Sequence, residues 1–356
     1  MNQELFDLYT DYLISAFGPT TATGLSRMLD GQISHDQVTR LLAEPPQNSA
    51  DLWREVKPLV RHIERPAGTL SIDDSIGEKP HTDENDIVCW HWSHSFERHV
   101  KGVEFLTAFY HAGEVSVPIA FDLVEKTEEY LDPKTKQTKR RSPVSKNERY
   151  RRLLRLAVHN QVSFQYVLND VWFASADNMK YVKRDLKKDF IMPLKRNRKI
   201  ALSEADKRRG QYVAVNTLSL PADTAREIWL EDVPFAVLLL KQVFTNDDGS
   251  QGVRYLVTSE LTLTSDRITK LFQKRWGIEV YHKSLKQNAS LEKSPTRTAT
   301  TQRNHLFASL CAYVKLERLK LKTKLSHFTL KTKLYQAALQ SAYAELVKLK
   351  EQLATA

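Results

Sequence analysis

The sequence is poor in cysteine and lacks the short motifs of several common enzyme classes. Its 356 residues include two cysteines, Cys89 and Cys311, which cannot form a disulfide framework, so we expect a reducing compartment. No Walker A glycine loop, GxGxxG or HExxH motif occurs, and ATPase, dinucleotide-dependent and zincin functions therefore have no support. We also find no serine or tyrosine nucleophile within a cluster of basic residues and histidines, which argues against a serine or tyrosine recombinase.

Long hydrophobic runs are also missing. No apolar run reaches the length that spans a bilayer. The first residues carry acidic side chains where a signal peptide requires positive charge. We therefore expect a soluble intracellular protein with no membrane partner.

Basic residues, in contrast, are in excess. The chain has 53 lysines and arginines against 43 acidic residues, a net charge of +10. Because surface lysine and arginine attract phosphates and release counterions, this sign of charge favours a polyanionic partner. The charge alone does not identify nucleic acid, since many basic proteins bind none.

Helical spacing marks the first 44 residues. Apolar side chains from Leu5 to Phe17 recur at helical intervals, and Ser34 is a predicted N-cap that follows a turn at Gly31. Two short helices joined through a glycine resemble a helix-turn-helix, although an ordinary helical pair fits the same pattern. We expect Pro45-Pro46 to end this region.

From residue 69 the pattern becomes strand-like and then alternates with helices. We predict strands at 69–75, 87–92, 103–111 and 117–123, a polar loop at 126–146, a helix at 146–160, a strand at 164–170, a basic helix at 178–188 and a strand at 190–194. A hairpin turn at 246–249 separates strands at 235–244 and 252–258, within a stretch of strand character that begins at residue 211. Thr264 or Ser265 caps a predicted long helix to about Asn288, and residues from 301 onward are helical and end in a basic, leucine-spaced helix. This order predicts an α/β fold with a mixed sheet, flanking helices and an inserted β unit.

Acidic residues stand at three of these elements. Asp73-Asp74 ends the first strand, Asp170 ends the strand at 164–170, and Glu279 lies inside the long helix. Carboxylates at the ends of adjacent strands converge on one edge of a sheet, and like charges so close resist joint ionisation unless a cation binds them. Alternation along the first strand places Asp74, not Asp73, on the face that carries Leu70 and Ile72. The carboxylates therefore predict a divalent-metal site for phosphoryl transfer.

The long helix carries a stripe of residues suited to such a site. At about 100° per residue, Glu279, Lys286 and Phe272 fall within roughly 60° of Arg275. Such a stripe would aim a carboxylate at metal and cations at flanking phosphates. A simple surface pair between Arg275 and Glu279 explains the same spacing.

These residues resemble the DDE transposases of bacterial insertion sequences, specifically the cut-and-paste type with a β-rich insertion before the glutamate. The signature of this group is Tyr, two residues, Arg, three residues, Glu, six residues, Lys. Phe272, Arg275, Glu279 and Lys286 keep all the spacings, with Phe in place of Tyr. The substitution removes a hydroxyl and any hydrogen bond that it makes to phosphate.

The two aspartates also match this family. Its first aspartate is usually followed by Thr or Ser, which favours Asp74 because Ser75 follows it. Its second aspartate lies in a strand followed by an aromatic pair, as Asp170 is followed by Trp172 and Phe173. The resemblance extends over residues 1 to about 325.

The resemblance implies an RNase H-like catalytic core with an inserted β-rich subdomain and helical N- and C-terminal regions. The implied domains are a helical DNA-binding domain (1–60), the first part of the core (61–195), the β-rich insertion (196–258), the second part of the core with the glutamate helix (259–325) and a C-terminal helical region (326–356). A bacterial cytoplasmic protein that is nucleoid-associated when bound to DNA would follow.

The same resemblance implies the site residues and partners. Asp74, Asp170 and Glu279 would be catalytic and would bind two Mg²⁺, for which Mn²⁺ can substitute. The expected DNA-binding residues are Arg275, Lys286, Phe272, Lys283, Trp229, Lys195, Arg196 and Arg198. The expected partner is double-stranded DNA, both transposon ends and target, with a dimer in the synaptic complex.

The implied reaction is hydrolysis at the transposon end, followed by attack of the freed 3′-OH on the opposite strand to form a hairpin, and later on target DNA. Trp229 is the candidate for stacking on a flipped base, and a core tryptophan is its plainer interpretation. Residues 195–199 form a basic cluster that we expect to contact DNA.

Three other hypotheses remain open. Cys89, His91, His94 and His99 suggest zinc, but alternation puts His94 on the face opposite Cys89 and His91, and no second pair has finger spacing. A metal-dependent nuclease would share the whole fold and cut without joining. A DNA-binding protein derived from a transposase would need no catalysis, which the intact acidic and basic set argues against.

Overall fold

The structure, a computed structural model, describes residues 2–93 and 97–354. The helices are α1 (Gln3–Ser15), α2 (Ala22–Met28), α3 (His35–Ala43), α4 (Ser49–Ile63), α5 (Lys146–His159), α6 (Ala176–Lys180), α7 (Glu204–Arg208), α8 (Ser265–Gln273), α9 (Trp276–Gln287), α10 (Ala299–Thr323) and α11 (His327–Ala354). The strands are β1 (Thr69–Glu78), β2 (Val88–Ser93), β3 (Arg98–Ala112), β4 (Val115–Leu123), β5 (Glu128–Leu131), β6 (Thr138–Arg141), β7 (Tyr166–Asn169), β8 (Asp189–Leu194), β9 (Lys199–Ala201), β10 (Val213–Ala214), β11 (Ala225–Leu230), β12 (Ala236–Thr245) and β13 (Gln251–Thr258). Most of the predicted elements are therefore present.

The chain divides into two compact units. The first is Met1–Glu55, Ile76–Val103 and Val280–Ala356, and the second is Val56–Ser75 and Glu104–Glu279. These boundaries follow contacts and differ from the five predicted domains, which remain a prediction.

The second unit is built on a mixed sheet. β1 runs parallel to β7, with Thr69 opposite Tyr166 and Ile72 opposite Asn169, and β7 runs parallel to β8. The core strands follow the order β4-β3-β1-β7-β8, and α5 connects β4 to β7. This is the arrangement of an RNase H-like core, and the predicted fold class is confirmed.

The predicted inserted β unit extends this sheet. β13 pairs antiparallel with β8, from Tyr255 opposite Leu194 to Thr258 opposite Ile191, and the order continues through β12, β11, β9 and β10. The hairpin turn before β13 is present, closed by a hydrogen bond from the Asn246 N–H to the Ser250 carbonyl. The inserted strands are thus hydrogen-bonded into the core sheet.

Helices cover both faces of the core sheet in the second unit. On one face, α5 packs with Leu153, Leu154 and Ala157 fully buried, and its Tyr150 hydroxyl donates to the Asn169 side chain at 2.9 Å. On the other face lies an apolar cluster of strands and α8, formed by Leu168, Ile191, Leu238, Leu240, Leu256, Ile268, Leu271 and Phe272. Successive strand residues face opposite ways, so Leu168 and Asn169 identify the two faces of β7.

The first unit is mainly helical, with α10 at its centre. Phe6 of α1 stacks on Phe307 of α10 with ring centroids 5.5 Å apart. The side chain of Asn304 donates to the Leu42 and Glu44 carbonyls, at 3.0 and 2.8 Å, and so caps the end of α3. Ser34 is the predicted N-cap and forms a capping box with Gln37. No described helix is long and apolar enough to cross a membrane.

The prediction of one loop was wrong, and two predicted helices are present in a different form. Within the loop predicted at 126–146, β5 and β6 form a hairpin whose cross-strand ion pairs, Arg140–Glu129 and Arg141–Glu128, replace apolar contacts. The basic helix predicted at 178–188 is α6 followed by a π-helical turn at Tyr181–Asp185. The long helix predicted after Thr264 is interrupted between α8 and α9.

The interruption is a tight turn. The N–H groups of Arg275 and Ile278 donate to carbonyls three residues earlier, where an α-helix would use the fourth. The constant rotation per residue of one continuous helix, which placed these side chains on one stripe, therefore does not apply from Phe272 to Glu279. Thr264 is the N-cap of α8, as predicted.

Candidate active site

The three aspartates lie where the pairing between β1 and β7 ends. Asp73 and Asp74 are inside β1, which continues to Glu78, so the prediction that they end this strand was wrong. Asp170 directly follows β7, as predicted. Asp73 and Asp74 follow Ile72, the last β1 residue registered with β7, and Asp170 follows Asn169. The Asp170 carboxylate accepts hydrogen bonds from the Trp172 and Phe173 N–H groups, at 3.0 and 3.4 Å. This turn fixes the Asp170 side chain at the end of its strand.

Asp74 is held by a lysine that sequence reasoning missed. Lys146, the first residue of α5, contacts Asp74 at 2.9 Å and Glu104 of β3 at 2.5 Å. The pKa of Asp74 is raised to about 6, because burial and the Glu104 charge together outweigh the opposing charge of Lys146. Burial lowers the pKa of Lys146, but the two carboxylates outweigh it and the net pKa is raised.

Asp73 has different neighbours. One step beyond the Ile72–Asn169 pair, it stands level with Asp170 and on the α8 face of the sheet, whereas Asp74 points to the α5 face. The pKa of Asp73 lies well above its ordinary value because of burial and then of the Asp74 and Asp170 charges, with Arg275 opposing. The charges of Asp170 and Arg275 therefore act on the Asp73 carboxyl.

The charges of two basic residues act on the pKa of Asp170. Burial raises its pKa, while the hydrogen bonds from Phe173 and Trp172 and the charges of Arg275 and Lys146 lower it. The Lys146 ammonium, which pairs with Asp74, thus also acts on Asp170.

Strand alternation places Asp73 on the face of Asp170 and Asp74 on the opposite face. The argument from sequence, that Asp74 is the first metal ligand because it shares a face with Leu70 and Ile72, therefore has no support from the register. Both faces of β1 are buried at this level, since Ser71 and Ile72 are each 1% exposed. Asp74 as the ligand remains a prediction, and Asp73 is its competitor.

Glu279 and Arg275 form an ion pair in the second unit. The Arg275 guanidinium contacts the Glu279 carboxylate at 2.8 Å, with the arginine side chain 18% exposed and the glutamate 42%. Phe272 is 7% exposed within the apolar cluster. The Arg275 guanidinium also lies over this ring, 5.8 Å from the Phe272 ring centre.

A second arginine shares the Phe272 ring. The Arg254 guanidinium of β13 lies 5.6 Å from it and 5.4 Å from the Phe244 ring. Burial and then Arg275 lower the pKa of Arg254, and no carboxylate of the described chain pairs with it. Two arginines on one buried ring form a local excess of positive charge beside Glu279, which sequence periodicity did not reveal.

The remaining DNA-binding candidates lie in several places. In the first unit, Lys286 donates to the Ile76 carbonyl at 2.7 Å and pairs with Glu292 at 3.0 Å, and Lys283 lies over the Phe328 ring. In the second unit, the predicted basic loop is a turn with Lys195 and Arg196 exposed and Arg198 half-buried. Trp229 is half-buried in β11, opposite Ala201 and Ala236.

The oxygen donors match the chemistry of Mg²⁺, which prefers carboxylates. Like charges at Asp73, Asp74 and Asp170 disfavour ionisation, a cost that a cation relieves. Within 2–93 and 97–354, however, no three Asp, Glu, His or Cys side chains are grouped at metal-binding distance. This also removes support for a zinc site at the described residues Cys89, His91 and His99, and His94 lies outside the described residues.

Family models match almost the whole described chain up to α10. The model described as transposase DDE domain matches residues 142–315, and the model described as DDE superfamily endonuclease matches residues 2–212, more than half of the chain. The chain belongs to the DDE superfamily of endonucleases. The predicted DDE transposase family is confirmed, while its bacterial insertion-sequence origin and the signature from Phe272 to Lys286 stay predictions. DDE superfamily endonucleases generally use divalent metal ions.

Solved structures and curated proteins add less about this chain. One similar structure is the Drosophila P element transposase strand transfer complex, at 11% identity and a TM-score of 0.24, over 48% of this chain and 34% of that chain. No curated protein matches this chain.

Proposed function

We propose that the chain is a transposase that cleaves transposon ends and joins them to target DNA. The observation that carries this proposal is the Lys146 ammonium, which pairs with Asp74 and acts on Asp170. The carboxylates here hold a cation, since the Lys146 ammonium pairs with Asp74, which the family signature selects, and with Glu104, which it does not. Asp74, Asp170 and Glu279 would hold the divalent ions, and bound ions would activate the attacking hydroxyl and offset charge on the phosphate.

The other side chains position the DNA. Arg275 and Arg254 offer guanidinium groups to the phosphates beside the scissile bond, a role for which the planar fork is suited. Glu279 would be free to bind a divalent ion once the Arg275 guanidinium leaves it to contact a phosphate. Its exposure, 42% of the side chain, permits this exchange. Lys286, Lys283 and the turn at 195–198 would add contacts to the backbone of the duplex.

The proposed reaction is a series of four phosphoryl transfers. Water attacks a phosphodiester at the transposon end and releases a 3′-OH. That hydroxyl attacks a phosphodiester of the opposite strand, which yields a hairpin and releases the flanking DNA. A second water opens the hairpin and frees the 3′-OH again, and this hydroxyl attacks a phosphodiester of target DNA. Trp229 is proposed to stack on the flipped base of the hairpin, and two copies would bring two ends together in the synaptic complex.

Incubation of the protein with Mg²⁺ or Mn²⁺ and the DNA that flanks its gene tests the proposal. We expect nicks, hairpins and joined strands at the element's ends. Nicks without joined strands would instead identify a nuclease, and binding without cleavage a DNA-binding derivative of a transposase.

A measurement of metal binding shows whether Asp73 or Asp74 is the first metal ligand. We expect Asp74→Asn to weaken Mn²⁺ binding, measured by titration calorimetry without DNA, and Asp73→Asn to leave it nearly unchanged. The opposite result would assign the ligand to Asp73.

A further inference from the structure

The β5–β6 hairpin is a two-stranded sheet of its own. Among the described strands, β5 and β6 pair only with each other, and every residue of β5 is exposed. Two cross-strand ion pairs, Arg141–Glu128 and Arg140–Glu129, link the strands. Because an isolated two-stranded hairpin is marginally stable in water, its order depends on how its base and its tip are held.

The base of the hairpin is held by Arg149 of α5. The Arg149 guanidinium donates to the Asp122 carboxylate at 2.8 Å and to the Ser142 hydroxyl at 3.2 Å, so it contacts the chain before and after the hairpin. Its side chain is 6% exposed. Arg149 lies about one helical turn after Lys146, which pairs with Asp74. The hairpin is therefore anchored beside the candidate active site.

The tip of the hairpin is an ordered turn. The Asp132 carboxylate accepts hydrogen bonds from the N–H groups of Lys134 and Thr135, at 2.9 and 3.3 Å, and pairs with the Lys139 ammonium. The Lys136 N–H donates to the Asp132 carbonyl at 2.8 Å. These bonds fix the backbone from which the tip lysines project.

Positive charge is concentrated at this tip. The three carboxylates of the hairpin, at positions 128, 129 and 132, each pair with a basic residue of the hairpin itself. Lys134 and Lys136 are exposed, and no carboxylate of the described residues pairs with either of them. Leu131, beside the turn, is 63% exposed. Two lysines next to an apolar side chain suit a DNA groove, whose phosphates flank sugars and bases.

We propose that the β5–β6 hairpin binds duplex DNA through its tip, with Lys134 and Lys136 on phosphates and Leu131 in the groove between them. Two-stranded ribbons enter DNA grooves. Six residues of strand, at about 3.3 Å each, place the tip roughly 20 Å from the base of the hairpin. That distance corresponds to about six base pairs, at roughly 3.4 Å per pair. The proposal rests on the proposed function only for the DNA that is held at the candidate site, since the binding itself needs neither metal nor cleavage.

The salt dependence of DNA binding tests the two lysines. The probe is a random-sequence duplex of about four helical turns, bound in EDTA. We expect Lys134→Gln/Lys136→Gln to weaken binding by about tenfold and to make the slope of log K against log salt less steep by about 2, because each lost phosphate contact removes about 0.9. Lys134→Arg/Lys136→Arg keeps the charge and should keep the wild-type slope. A wild type that binds no duplex, or an unchanged slope for the glutamine pair, overturns the proposal.

The matched control makes the same change of charge elsewhere. Lys348→Gln/Lys350→Gln removes two exposed lysines from α11 and should leave the slope unchanged. Equal changes of slope in the two glutamine pairs would show a response to net charge alone and would overturn the proposed contact.

Leu131→Ser tests the apolar contact. This variant should weaken binding several-fold at an unchanged slope, because the lost contact releases no counterions. Unchanged affinity would overturn the placement of Leu131 in the groove. Since every measurement omits metal, a protein that binds DNA in this way and never cleaves it would contradict the proposed function and leave the hairpin contact intact.

Discussion

Lys146 and Arg275 of the candidate site differ in how many carboxylates hold them and in how buried those carboxylates are. Lys146, 30% exposed, pairs with two, Asp74 at 25% and Glu104 at 4% exposed. Arg275, 18% exposed, pairs with one, Glu279, which is 42% exposed. A buried charge that loses its partner is costly, and an exposed pair contributes little. The Asp74 side of the site is therefore part of the protein's stability, and the Glu279 side is available for exchange with a ligand.

The largest expected effect tests whether both sides serve catalysis. Asp170→Asn and Glu279→Gln should each abolish cleavage of transposon-end DNA and leave DNA binding nearly intact, because the amide keeps the shape and removes the charge that would hold the metal. Cleavage gels and binding isotherms measure the two quantities. Equal losses of binding and cutting would show that these residues support the fold instead.

The ion pairs of Lys146 and of Arg275 should contribute differently to the free energy of unfolding. Lys146→Met leaves Asp74 and Glu104 without their cation and should lower the free energy of unfolding by about 3 kcal/mol. Arg275→Met, the matched variant of the exposed pair, should cost less than about 1 kcal/mol. Urea unfolding without metal measures both, and Mn²⁺ should stabilise the Lys146 variant more than the wild type. Equal costs for the two variants would contradict the comparison.

Arginine variants should slow cleavage without changing its metal dependence. We expect Arg275→Ala, Arg254→Ala and Lys286→Ala to reduce the rate and to weaken end binding, by about 10- to 100-fold for the arginines, and Arg275→Lys to be impaired because a point charge cannot replace a guanidinium fork. Arg267→Ala, an exposed arginine on α8, is the control and should cleave normally. Near-normal cleavage by Arg275→Ala would mean that Arg275 merely pairs with Glu279.

The smallest expected effect concerns Asp73 and pH. Its folded-state pKa is raised, so the folded protein keeps a proton that the unfolded chain releases near pH 4. Stability therefore falls as pH rises above about 4, until the folded-state pKa is passed. Asp73→Asn removes this loss and should raise the Tm at pH 7 in EDTA by about 2–4 °C.

The control for this measurement has the opposite sign. The pKa of Asp132 is lowered to about 2, chiefly by its hydrogen bond from Lys139, so Asp132→Asn should not raise the Tm at pH 7. A Tm for Asp73→Asn that equals the wild type at pH 7 would show that Asp73 is not electrostatically strained.

Periodicity predicted the order of strands and helices, and the spacing from Arg275 to Lys286 predicted the family. Periodicity could not choose between Asp73 and Asp74, because both faces of β1 are buried. Lys146 and Glu104 were missed because they come from the start of α5 and from β3 and meet only in the folded protein. The break before α9 was missed because the Phe272 to Gly277 segment keeps helical propensity while its hydrogen bonds tighten.

The insertion and the aspartates share one sheet, which has a mechanical consequence. β13 is hydrogen-bonded to β8, and β8 to the strand that ends at Asp170. A continuous ladder of this kind leaves the turn at 195–198 no joint by which to swing toward a ligand. The basic side chains of that turn would therefore meet a ligand in a fixed position relative to Asp170, because the ladder between them has no hinge.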